Sequence, residues 1–246
     1  MPDGTLLSMP IPTEDNVSYS DIAWNGISYA DILKQINPKD EYTTCHLDPD
    51  IRDNRIHPID GWKPAFGQIS AAQGLLSNAG VQVGDLFLFF GWFRQVEETI
   101  QGYRFASKSN EDFYKGHDLQ IIYGYMEIGE IITDQDEIRR FYWHPHASDL
   151  RTKYSSNALY LPSEKLSLNP TLKGYGVLDY REDRVLTMKG KNRGTWNEYP
   201  FLMPEHVYGI KKNSAKDGGL YYAGIWQELV VNESDDLMEW AKRVIC

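Results

Sequence analysis

The chain has 246 residues and a formal net charge of −10, from 25 basic and 35 acidic side chains. An apolar fraction of 41%, with 13% aromatic, excludes disorder, and the length suffices for a sizeable core in one large domain or two closely packed ones. The negative balance argues against a protein that coats phosphates without discrimination, because counterion release rewards positive charge. Two cysteines, Cys45 and Cys246, make neither a disulfide framework nor a zinc knuckle, so a reducing, cytoplasmic setting is expected. The start shows no basic-then-apolar leader pattern. The longest apolar stretch, from Leu86 to Phe90, meets Gly91 and Arg94 far short of the roughly 20 residues that span a bilayer, so no membrane association is expected.

In chain order, the first forty residues read as an arm punctuated by Pro10 and Pro12, ending in a short helix near 29–36 that Asn37-Pro38 stops. A polar, Asp-rich loop follows over 41–63. A helix is predicted from about Ser70, with Ala72, Leu75, Leu76 and Ala79 on one face and Gly80 as its stop. Residues 85–93 are a near-continuous apolar run, as expected of a strand buried on both faces. Residues 120–132 predict a second strand, with Gly124 and Gly129 marking bulges or bends. Asp134 with Glu137 resembles a capping box opening a short helix to about Phe141. Further strands are predicted over 157–161, 176–180, 184–188, 220–223 and 226–231, with a turn at Arg181-Glu182-Asp183. A closing amphipathic helix starts at Ser234 and gathers Leu237, Trp240, Ala241 and Val244 on one face. No repeat or linker marks a boundary, so 1–246 reads as a single domain with an N-terminal arm (1–40). Many strands with few helices, mixed in order, predict an α+β fold with a curved or barrel-like mixed sheet and flanking helices.

The densest polar cluster is His46-Leu47-Asp48-Pro49-Asp50-Ile51-Arg52, extended by Asp53, Arg55, His57 and Asp60. In an extended segment His46, Asp48 and Asp50 would share one side, where a carboxylate could activate water or stabilise a cationic transition state. The plainer alternative is turn chemistry at Asp48-Pro49-Asp50, with Arg52 and Arg55 in local ion pairs. Trp143-His144-Pro145-His146 sets two imidazoles in alternation, and the Asp-rich loop could complete a metal site. With no His-Glu-x-x-His helix and no thiolate pair, a hydrogen-bonded turn is the plainer reading, and neither metal nor cofactor is expected.

Charge is uneven along the chain: residues 1–50 carry −7, whereas 181–216 carry +4. Within the basic stretch, Gly190-Lys191-Asn192-Arg193-Gly194-Thr195-Trp196 joins phosphate-reaching charges to a stacking ring, without P-loop spacing. Trp143, Tyr175, Trp196, Tyr199 and Phe201 sit beside Gly, Pro and basic residues, where rings could sandwich an extruded base. Phe89-Phe90-Gly91-Trp92-Phe93 reads instead as core.

Taken as a string, His46-Leu47-Asp48-Pro49-Asp50, Ala65-Phe66-Gly67-Gln68, Ala71-Ala72-Gln73, the run from Gly84 to Phe93 and Trp143-His144-Pro145-His146 resemble the third type of nucleotide modification associated domain. Weaker matches follow at Gly174-Tyr175-Gly176-Val177, Leu186-Thr187, Arg193 with Trp196, and Gln227-Glu228. Gly84-Asp85 and Tyr123-Gly124-Tyr125-Met126-Glu127-Ile128-Gly129 are similar to PUA-like barrels of the EVE and ASCH kind, over about residues 80–190. The first resemblance implies association with DNA carrying modified bases, often in phage-related or defence settings. One expectation is therefore a DNA glycosylase that flips a hypermodified base and hydrolyses its N-glycosidic bond. Asp48 or Asp50 would be its carboxylate, with His46 or His144 polarising the base or orienting water. Gln68 would read a base edge, Trp143, Tyr175 and Trp196 would line the base, and Lys189, Lys191 and Arg193 would hold phosphates. The alternative is a non-catalytic reader that cages the base for a partner nuclease.

Overall fold

The computed structural model describes residues 1–39, 41–209, 214–216, 218–222, 224 and 228–246. An antiparallel ribbon opens the chain: β1 (Ile11–Ser18) pairs with β2 (Thr44–His46), Ile11 opposite His46 and Ser18 opposite Thr44. Both Pro12 and Val17 face Cys45, so the residues between them bulge out of the ribbon. Helix α1 (Tyr29–Ile36) begins where the Ser28 hydroxyl accepts the Asp31 amide at 3.1 Å. It buries Tyr29 and Ile32 against Val17, Tyr19, Ile22 and Cys45. The arm read from Pro10 and Pro12 is therefore partly a strand, joined to its own small core.

Next come β3 (Phe66–Gln68), α2 (Ser70–Asn78) and β4 (Leu86–Phe93), then a hairpin of β5 (Val96–Thr99) and β6 (Gly102–Phe105). The hairpin escaped prediction because Glu97, Glu98 and Arg104 dilute its apolar signal. The long strand β7 (Leu119–Ile132) organises the rest. It pairs antiparallel with β4 along 119–127, with β8 (Ala158–Pro162) along 128–132 and with β9 (Tyr175–Val177) at 124–126, and β8 carries β3. The ladder skips a residue near each predicted glycine: between Phe89 and Phe90 opposite Gly124, and between Leu161 and Pro162 opposite Gly129. A Cβ at Gly129 would press on the backbone of Pro162 and Ser163.

The mixed α/β character is as read, but the sheet does not close. Among the described residues its order is β9–β7–β8–β3, with β4 on β7, and no strand joins the ends into a barrel. The remaining strands pair off as separate ribbons. Residues 184–188 are a second departure. Glu182–Arg184 is a 3₁₀ turn, and only isolated bridges link Val185 to Ile121 and Thr187 to Trp196. Arg184 explains this, because its buried guanidinium donates to the carbonyls of Asp179 and Val244 at 2.7 and 2.8 Å. Short helices α3 (Gln135–Ile138) and α4 (Asp149–Thr152) bracket the His-Pro-His turn. The predicted cap is present, Asp134 accepting the Glu137 amide at 2.9 Å. Helix α5 (Asp235–Ile245), capped by Ser234, buries Trp240, Ala241, Val244 and Ile245 against Leu178, Leu186 and Phe201. Of the predicted strands over 220–223 and 226–231, Ala223, Trp226 and Gln227 lie outside the described residues, as do Lys211 and Lys212. No helix among the described residues is long and apolar enough to cross a membrane.

Candidate functional site: a histidine–aspartate cluster on a deep cleft

Alternation along β2 sends Cys45 into the N-terminal core and turns His46 the other way. Asp48 follows, joined to Pro49 by a cis peptide. Its carboxylate accepts the Gly67 amide, at 3.0 and 3.2 Å to its two oxygens. Three imidazoles converge on it: His46 Nε2 at 3.5 Å, His146 Nε2 at 3.4 Å and His144 Nε2 at 3.5 Å. Gly67 is required by this approach, since a Cβ there would overlap the His146 ring.

Each imidazole is held from behind. His46 Nδ1 lies 2.9 Å from Asp15 Oδ2, which stands on the β1 bulge, and Arg151 from α4 donates to that same oxygen at 2.7 Å. His146 Nδ1 lies 2.6 Å from Asn157 Oδ1, and Asn157 in turn donates to Gln135 Oε1 at 2.9 Å. His144 is fully buried; its Nδ1 accepts the His146 amide at 3.2 Å, and its Nε2 has no hydrogen-bond partner closer than Asp48. Burial opposes charge on Asp48, but His144, His46 and His146 reverse that and hold its carboxyl well below the usual carboxylate range. Burial likewise opposes charge on His46, yet Asp15 and Asp48 raise it to about 9. Asp15 is lowered to about 2: burial works against its charge, and His46, the Asn16 amide and Arg151 outweigh it. Burial pulls His146 down to about 4 despite Asp48.

His46, Asp48, His146 and Arg151 line a cleft of about 940 Å³, within the range of small-molecule sites. Phe66, Phe87, Phe89 and Tyr123 wall it, the three phenylalanine rings edge-on or offset at 5.0 to 6.1 Å. Gln68 and Glu228 also face it, and the two are hydrogen-bonded to each other. Burial raises Glu228 to about 7, against the bond from Gln68 and with the charge of Asp48. At the rim, exposed Arg193 lies over the exposed Trp92 ring, 3.9 Å from its centroid.

Residues 1–232 match the family described as nucleotide modification associated domain 3. The chain belongs to that family. Neither the curated proteins nor the solved structures contain a match to it. Family membership ties this nucleotide modification associated domain 3 chain to nucleotide modification, and its strongest polar cluster lies within the matched span.

The structure sorts the sequence candidates unevenly. His46, Asp48 and His144 come together, a meeting the sequence leaves open, and Gln68 faces the same cleft. Asp50 does not join them. It is fully buried in a bidentate pair with Arg55, at 2.7 and 3.2 Å, and accepts Trp62 Nε1 at 3.1 Å, the local ion pair weighed as the plainer reading. Trp143 is buried against Phe141 and Tyr142. Tyr175 packs partly buried in β9, under Lys173. Trp196 edges the cleft but is only 2% exposed, stacked on Tyr222 and bonded to Gln120 Oε1. Lys189, Lys191 and Arg193 are exposed on one loop. Asp15, Gly67, Arg151 and Asn157 were not singled out as site residues. Only the His-Pro-His alternation carried a signal for His146.

Proposed function

We propose that the chain takes a modified nucleobase, swung out of DNA, into this cleft and hydrolyses its N-glycosidic bond. The observation that supports this most is the convergence of His46, Asp48 and His146 on an aromatic-walled cleft large enough for a nucleoside. In this reading the faces of Phe66, Phe87 and Tyr123 receive the base, and the Gln68 amide reads its edge. Water oxygen bonds to C1′ as the C1′–N bond breaks, and the base departs with the bonding pair. The water gives its proton to the His46–Asp48–His146 group. Glu228, which burial keeps about half protonated near neutrality, returns one to the departing base. Lys189 and Arg193 hold flanking phosphates.

The test is to incubate the protein with phage DNA bearing hypermodified cytosines, and with unmodified DNA, and to assay abasic sites. Abasic product is expected from the modified DNA only, and Asp48→Asn abolishes it while DNA binding persists. Preferential binding with no product on any modified substrate would defeat the hydrolase and favour a reader that hands the base to a nuclease.

A further inference from the structure

The cluster turns three potential ligand atoms toward one point of the cleft. His46 Nδ1 lies against Asp15 Oδ2 at 2.9 Å and against the Arg151 guanidinium at 3.1 Å, which turns His46 Nε2 toward Asp48. Asn157 donates through its nitrogen to Gln135 and presents its oxygen to His146, so His146 Nδ1 carries a hydrogen and its Nε2 lone pair is free. Both Nε2 atoms face the same atom, Asp48 Oδ2, at 3.5 and 3.4 Å. A cation among them, whether a proton on an imidazole or a metal ion in its place, balances the buried carboxylate.

His144 is different. Its Nδ1 accepts the His146 backbone amide, which puts its hydrogen on Nε2, facing Asp48 Oδ1. It is a donor that steadies the carboxylate at Oδ1, together with the Gly67 amide, which reaches both oxygens. The donor atoms of His46, Asp48 and His146 all lie within 4.8 Å of one another. Ligands about 2.1 Å from a tetrahedral ion stand about 3.4 Å apart, which matches both nitrogen–oxygen separations.

We propose that His46 Nε2, Asp48 Oδ2 and His146 Nε2 bind one divalent first-row transition ion, with its remaining coordination positions open to the cleft. Two imidazoles and one carboxylate suit zinc, ferrous iron or manganese, and the Asp15 and Asn157 contacts are the outer partners that such ligands ordinarily have. The sequence reading sets metal aside for want of a helical motif, but these ligands come from a strand end and a 3₁₀ turn. The inference goes beyond the nucleobase reading and does not depend on it; were the ion bound, it would activate the water in place of the free imidazoles.

The test uses the metal alone. Chelator-stripped protein, checked for folding by circular dichroism, is titrated with zinc in a calorimeter and with cobalt while its visible absorption is followed. One equivalent should bind, with cobalt bands of low-symmetry, nitrogen–oxygen ligation. Replacing His46 or His146 by Asn should weaken binding about a hundredfold or more, and His144→Asn should cost less than either. His206→Ala, an exposed histidine elsewhere, should bind as the unaltered chain does. No saturable binding of zinc, cobalt, manganese or anaerobic ferrous iron by the folded protein would overturn the inference. So would equal affinity in a folded His46→Asn, His146→Asn double variant. Bound ion without abasic product counts against the glycosylase alone, and product without bound ion counts against the metal alone.

Discussion

Asp48 and Asp50 are separated by a single proline, and both side chains are at most 5% exposed. Around Asp50 the donors are matched and short: two from the Arg55 guanidinium and one from the Trp62 indole. Around Asp48 a single backbone amide is close, and the three imidazoles stand back at 3.4 to 3.5 Å. A guanidinium stays charged, so the Asp50 pair is a fixed fastening. Imidazoles can exchange protons or metal ions, so the Asp48 group can change state. Depth of burial does not separate the two regions. The chemistry of the partners does.

The most forceful way to break this contrast is Asp50→Asn, which strands the buried Arg55 charge. Urea unfolding should show a loss of about 3–5 kcal/mol, while abasic product per folded molecule is kept. A fully stable variant would refute the fastening role. Gly67→Ala should come next. The added methyl meets the His146 ring, and about 1–3 kcal/mol of stability should be lost, together with most product formation. Unchanged turnover would mean that His146 tolerates displacement.

Glu228 sharpens the contrast through pH. Its acid is raised from 4.5 to about 7 on folding, so the folded chain holds a proton the unfolded chain releases. That contribution is whole below pH 4.5 and is lost as pH rises through 7. Glu228→Gln should flatten the urea midpoint across this window relative to the unaltered chain. Parallel profiles would remove Glu228 from the account. The smallest effect belongs to the rim. Replacing Lys189 or Arg193 by Ala should lower the salt-dependence slope of DNA binding by about one each, because every lost phosphate contact removes about 0.9 of counterion release. An unchanged slope would return the loop to plain solvated charge.

Much of the frame was legible because it rests on local signals. The apolar runs in β4 and β7, the capping side chains of Asp134 and Ser234, and the glycines at the ladder slips each act within a few residues. Half of the site was legible for the same reason: His46 and Asp48 alternate on one extended segment, and His144 and His146 flank a proline. The other half was not. Asp15 acts only because β1 pairs with β2 and bulges, and Asn157 only because Gln135 turns its amide. Single polar residues of that kind look like any solvated side chain. Trp196 shows the converse, since a tryptophan beside glycine and arginine suits a stacking loop, yet Gln120 anchors it inside the core. That no strand among the described residues closes the sheet into a barrel is a matter of long-range closure, which strand-by-strand patterning does not encode.

The bulge in β1 gives the leading segment a part in the chemistry. Asp15 is the shared anchor of His46 and Arg151, yet it stands on the protruding stretch of a two-stranded ribbon whose neighbours Pro12, Thr13 and Glu14 are exposed. Cleavage by a protease within this loop would leave the central sheet paired and loosen the latch on two side chains of the cleft. Such a protein would remain folded by most measures and be disarmed.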